Sequence, residues 1–168
     1  TASHPDQSVT FVEYHDTQPG QSLASTVAPW FKAAAYALIL FHEAGVPCVF
    51  WGDLLGSPDS DDLPAVRELP ILMGIRARAA VGRQHNAFDD PDVVGFAREG
   101  KEEIPGSGCA VILSDRMASD KTLYVGTRHV GEEWECVIGG HPSVRVADDG
   151  TLTGTVSDGG LSVYVPRA

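Results

Sequence analysis

The sequence predicts an α/β segment over residues 1–81 followed by an all-β module over residues 82–168. Three observations carry this reading. The first half alternates apolar strand-like runs with one long apolar helix. From about Gly82 the hydrophobic period falls to two. Turn residues then punctuate the chain at short intervals, as in "DDG" from Asp148 and "SDGG" from Ser157.

Residues 9–14 (VTFVEY) read as a strand with little alternation, as expected of a strand covered on both faces. The run "TQPGQS" from Thr17 breaks it with turn chemistry. "PWFKAAAYALILFHEAG" is the strongest helix, with Pro29 in its first turn and Gly45 as its stop. Its polar residues Lys32, Tyr36 and Glu43 fall within roughly 40° of one another, which predicts one thin wet stripe on an apolar cylinder. Residues 46–51 (VPCVFW) form a second apolar strand, ended by Gly52 and Asp53. A loop rich in Asp, Ser and Pro runs to about Asp62, and residues 63–80 read as a helix bent or restarted around Pro70.

Strand–helix–strand–helix connections make parallel strands. Two such units cannot close or cover a parallel sheet, so the first half is incomplete as it stands. In the second half, "NAFDD", "VVGFARE", "CAVILSD", "KTLYVG", "EWECVIG", "SVRVADDG" and "LSVYVP" are short strands, the grammar of an antiparallel sandwich or Greek-key module.

A net charge of −11 argues against nucleic acid and anionic membrane as partners and suits a neutral or cationic one. The 43% apolar content is enough for a packed core. Cys48, Cys109 and Cys136 contain no CxxC pair. They predict buried free thiols rather than a disulfide framework or zinc knuckle, which points to an intracellular setting. The polar start "TASHPDQS" is no secretory leader, no apolar run reaches membrane-span length, and a chain beginning at Thr1 suggests polypeptide upstream.

Ligands of parallel α/β barrels bind beyond the carboxyl ends of the strands. Here one strand runs into Tyr14-His15-Asp16 and the next into Trp51-Gly52-Asp53, on the same edge. Turn capping is the competing role for both aspartates. Other constellations fail. "GQSLA" from Gly20 lacks the last glycine of a serine-hydrolase elbow, and neither HExxH nor an EF-hand loop occurs. His4, His42, His85, His129 and His141 are scattered and read as surface or satisfied core residues. The acidic run at Asp59 reads as a solvated loop before a cation site.

Four words, "HPDQSVTFVEYHDTQPGQSL", "WFKAAAYALIL", "GVPCVFWGDLLG" and "DVVGFAREG", occur in order at plausible spacing. From Ser3 to its end the chain closely resembles the C-terminal part of liquefying-type α-amylases, in the α-amylase family of glycoside hydrolases. "FVEYHDT" matches the family's fourth signature, usually F-V-D-N-H-D, with Glu13 and Tyr14 departing from it.

The resemblance implies a (β/α)8 TIM barrel followed by an antiparallel Greek-key β-sandwich. Residues 1–81 would be the last two strand–helix units of the barrel and residues 82–168 the sandwich. It implies that the complete protein is a retaining endo-hydrolase of α-1,4 bonds in starch, glycogen and maltooligosaccharides. Asp16 then looks like the third carboxylate, the transition-state stabiliser, with His15 donating to the same sugar and Tyr14 and Trp51 available to pack a pyranose face. The nucleophile and acid/base belong to earlier strands in the family. This chain lacks their motifs, so it is expected to be inactive alone and to need the missing N-terminal barrel segment. The resemblance also implies calcium, held mostly by polypeptide outside this chain. Asp92 and Asp115 match acidic ligands of a barrel–sandwich site, whose neighbouring ligand position is Pro91 here.

A competing reading makes the β half a non-catalytic glycan-binding module, and another makes it purely structural. Trp134 and Tyr124 lie within strand-like words and read as core, which favours the structural role; Trp30 and Phe31 also read as core.

Overall fold

The computed structural model of the chain describes residues 3–56 and 63–167, so the acidic run at Asp59 lies outside the described residues. The chain divides into two compact units, Thr1–Gly74 and Ile75–Ala168.

In the first unit, β1 (Val9–Phe11) and β2 (Val46–Cys48) pair in parallel, with Val9 opposite Val46 and Phe11 opposite Cys48. Helix α1 (Pro29–Phe41) joins them, and α2 (Trp51–Leu55) and α3 (Leu69–Arg78) follow; α3 runs across the division between the units. The predicted strand–helix–strand–helix order is therefore present. Pro29 sits in the first turn of α1, where a missing N–H removes no bond. Gly45, at φ +96°, lets the chain reverse into β2.

Both strands are shorter than the sequence suggests. β1 stops at Phe11 rather than Tyr14, because the backbone beyond it turns to put the Glu13 carboxylate against Val27 and Thr17. β2 stops at Cys48, and Trp51 opens a helix instead of ending a strand. Nor are the strands covered on both faces. Val9, Phe11, Val46 and Cys48 are exposed on alternate positions, so one face of this sheet, two-stranded among the described residues, is open. Helix α3 begins at Leu69, not Leu63; Pro70 falls in its first turn and does not bend it.

The second unit is antiparallel throughout. Six strands lie in the order β3 (Gln84–Ala87), β4 (Val93–Arg98), β5 (Cys109–Ser114), β10 (Leu161–Pro166), β7 (Glu133–Ile138), β8 (Val144–Arg145). A two-stranded ribbon pairs β6 (Ser119–Tyr124) with β9 (Thr151–Val156). The core joins both sheets: Val93, Ala97, Ile112, Trp134 and Tyr164 from the larger pack with Leu123, Leu152 and Val156 from the ribbon. β5 is buried at every position, which explains its unbroken apolar run. Gly154 is required by close approach, since a Cβ there would come within 2.6 Å of the Tyr164 ring.

Sequence reading missed β9, Thr-Leu-Thr-Gly-Thr-Val, whose apolar face of Leu152 and Val156 is interrupted by Gly154. Trp134 is fully buried as expected. Tyr124 is not core: it lies on the outer face of the ribbon, 38% exposed, edge-on to His85 at 4.9 Å. Trp30 is likewise exposed rather than buried. Cys109 is buried, but Cys48 is exposed, against the expectation of buried thiols, because it ends a strand on the open face of the two-stranded sheet.

Candidate functional site

Past β1 the chain makes a tight turn over residues 14–17, closed by the Thr17 N–H donating to the Tyr14 carbonyl at 3.1 Å. His15 and Asp16 occupy its two central positions. Their side chains are 80% and 50% exposed, with His15 Nε2 at 3.3 Å from Asp16 Oδ1. Tyr14 is half-buried and edge-on to both Phe11 (5.2 Å) and His15 (5.8 Å). The imidazole and carboxylate are thus presented to solvent by a turn, rather than carried there by the strand itself.

The entry and exit of this turn are tied to the protein. Glu13, 2% exposed, accepts the Val27 N–H on Oε1 at 2.7 Å, and its Oε2 lies 3.1 Å from Thr17 Oγ1. Lys32 Nζ approaches Glu13 Oε1 at 3.3 Å and Asp53 Oδ1 at 2.6 Å. The Tyr36 hydroxyl donates to Asp53 Oδ2 at 2.7 Å and accepts the Phe50 N–H at 3.4 Å. Two buried carboxylates therefore share one buried ammonium, Asp53 takes the phenol besides, and burial of charge is tolerated because each carries partners. Burial, then the bond to Asp53 and its charge, pushes the Tyr36 phenol well above the usual tyrosine range and keeps it a donor.

This cluster corrects two expectations. The stripe of Lys32 and Tyr36 on α1 is dry, because both turn inward to Asp53; only Glu43 remains exposed. Asp53 does not share an open edge with Asp16, since it is fully buried in α2. The signal for the cluster was present in the sequence: a Lys and a Tyr four residues apart on an otherwise apolar helix, with a carboxylate after the next strand.

Trp51 is 69% exposed at the first position of α2, free to offer its indole face to a ligand. In the second unit Asp92 and Asp115 meet through backbone, with the Asp115 N–H donating to the Asp92 carbonyl at 3.2 Å. The neighbouring carboxylates are engaged elsewhere. Asp90 accepts the N–H groups of Asp92 and Val93, Asp89 pairs with Lys121 at 2.6 Å, and Asp115 lies 3.5 Å from Arg116 Nε. Among the described residues no group of three or more His, Cys, Asp or Glu side chains comes together. A hard cation needs several oxygens, so this donor set does not by itself fit a resident calcium. His129 is a satisfied core histidine, held by Glu132 at 2.6 Å and the Glu99 carbonyl at 2.8 Å. Among the described residues no helix is long and apolar enough to cross a membrane.

No protein-family model matches the chain. It is 42% identical to an α-amylase of Bacillus licheniformis over 99% of its own length, and spans about a third (33%) of that relative. The match falls on the relative's C-terminal part. Among solved structures it is similar to an Anoxybacillus α-amylase, with a TM-score of 0.65 at 19% identity, covering 95% of this chain and 38% of that one. It is similar also to a Geobacillus thermoleovorans α-amylase complexed with acarbose, with a TM-score of 0.58 at 15% identity, covering 95% and 39% respectively. The similarity that the four sequence words carry is thus borne out, and the likeness to solved structures extends it to the fold.

Proposed function

We propose that this chain, the C-terminal part of an α-amylase-type sequence, supplies one of the carboxylates with which the complete protein hydrolyses internal α-1,4 bonds of starch or glycogen. The observation that carries the reading is the exposed His15–Asp16 pair set just past a parallel strand. In this reading β1–α1 and β2 with its following helices are the last two units of a (β/α)8 barrel. The barrel part runs over residues 1–81 and an antiparallel Greek-key sandwich over residues 82–168. The two-stranded parallel sheet, open on one face, supports it.

Asp16 acts as the transition-state stabiliser. Its two oxygens can accept from vicinal ring hydroxyls, and charge-assisted bonds of this kind are the strong ones. Bonds to the 2-hydroxyl strengthen as the sugar becomes oxocarbenium-like. His15, 3.3 Å from that carboxylate, donates to the same sugar. Tyr14 and Trp51 offer ring faces to the glucan. A retaining mechanism also needs a nucleophile and an acid/base carboxyl about 5–5.5 Å apart. Those groups come from upstream polypeptide.

The test is a reducing-end assay on starch with the full-length protein. Asp16→Asn keeps the shape and removes the charge. It is expected to cost roughly 2–4 kcal/mol of transition-state stabilisation, the scale of one preorganised polar contact. Undiminished turnover would refute the role.

A further inference from the structure

We infer that Glu13 and Thr17 are a positioning pair that fixes where Asp16 meets the sugar, an inference that rests on the proposed role of Asp16. His15 and Asp16 are held little by their own side chains: the imidazole is exposed, the carboxylate half-exposed, and the contact between them is a long 3.3 Å. The turn is determined at its two ends. Thr17 Oγ1 accepts the Tyr14 N–H at 3.3 Å and lies 3.1 Å from both the Tyr14 carbonyl and Glu13 Oε2. Glu13 stands directly before the turn and Thr17 at its last position, so the carboxylate–hydroxyl contact brackets the three residues between them, Tyr14, His15 and Asp16.

The bracket is anchored. Glu13 Oε1 accepts from the Val27 N–H at 2.7 Å and faces Lys32 Nζ at 3.3 Å, and Lys32 is held in turn by Asp53 at 2.6 Å. Glu13, Lys32 and Asp53 are all buried, on the β1–α1 connection, α1 and α2 respectively. A charged carboxylate suits this place because both of its oxygens face donors at once. The chain from Asp53 through Lys32 and Glu13 to Thr17 thus joins two helices to the turn over residues 14–17. A group that must meet a distorted sugar within a fraction of an ångström needs such support, since about 1 Å of misplacement can cost roughly a hundredfold in rate.

The sharp variant is Thr17→Val, which is near-isosteric. It cuts the tie between turn and anchor while leaving Glu13, Lys32 and Asp53 paired. In the full-length protein acting on starch, kcat is expected to fall about ten- to a hundredfold, with the melting temperature moved by only a few degrees. Thr17→Ser, which keeps the hydroxyl, should restore kcat to within about threefold of the parent value. A Thr17→Val enzyme with a lowered melting temperature but unchanged kcat would assign the pair a merely structural role and overturn the inference. So would a Thr17→Ser enzyme as slow as Thr17→Val. Asp16→Asn run alongside separates the two levels. If it leaves turnover intact, the reading of Asp16 fails and this inference falls with it. If it abolishes turnover while Thr17→Val does not, only the positioning claim is lost.

Discussion

Lys32 Nζ lies 2.6 Å from Asp53 Oδ1, with the lysine 7% and the aspartate 0% exposed, and this contact links α1 to the short helix after β2. One ammonium serves two buried carboxylates there, so its removal is asymmetric. Lys32→Met keeps the length of the side chain but strands Asp53 and Glu13 without a counter-charge. Breaking a buried pair from one side typically costs about 3–5 kcal/mol. Denaturant unfolding should show a loss of that size, and a loss under about 1 kcal/mol would mean the cluster is not energetically coupled.

Tyr36→Phe removes the donor to Asp53 Oδ2 and the acceptor of the Phe50 N–H. The expected cost is roughly 1–3 kcal/mol, the penalty for buried groups left unsatisfied. Its pH dependence has a definite sign. The phenol is raised above its ordinary 10.0 in the fold, so the unfolded chain ionises first. The stabilisation is complete below about pH 10 and declines as pH rises beyond it. Unfolding curves of the parent chain should therefore weaken more steeply above that pH than those of the Phe variant. Parallel curves would show that the phenol ionises equally in both states.

The cysteines should separate by reactivity. Cys48 is exposed, whereas Cys109 is buried and its thiol is pushed up to about 12, first by burial. Because the thiolate is the nucleophile, an alkylating reagent at pH 8 should modify Cys48 first and Cys109 only on unfolding. Peptide mass spectrometry reads this directly. The same shift means that the stability contributed by Cys109 is whole below its ordinary 9.0 and fades as pH rises toward 12.

In the proposed mechanism the nucleophile and the acid/base come from outside these residues, so the chain by itself should not hydrolyse starch. A reducing-end assay on the purified 168-residue chain is expected to stay at background. Clear turnover would mean that a nucleophile and an acid lie within these residues, and the division of labour with upstream polypeptide would be wrong.

Much of the fold was legible because period and punctuation are local. The shift of hydrophobic period near Gly82 separated helix-bearing from antiparallel chain, and Pro29 and Gly45 bracketed α1 from neighbouring residues alone. β9 escaped because its exposed face is Thr151, Thr153 and Thr155, so that alternation had little contrast. Tyr124 was misread for a related reason. A strand word does not say which of its faces the ribbon turns outward, and that is decided by pairing with β9.

The site divides along the same line. His15 and Asp16 could be picked out by residue type at the end of a strand-like run, since a carboxylate and an imidazole before a turn are a local signal. The Lys32–Tyr36 pair was visible on α1, but which carboxylates it meets was not, because the Tyr36–Asp53 and Lys32–Asp53 contacts span 17 and 21 residues of chain. On α1 taken alone, a polar stripe has its lowest energy in water. The sequence by itself determined the helix, the two kinds of chain and the placement of an imidazole and a carboxylate just past a strand. Only the tertiary structure decided that the stripe is dry, because just there a buried carboxylate on α2 offers the ammonium and the phenol better partners than water does.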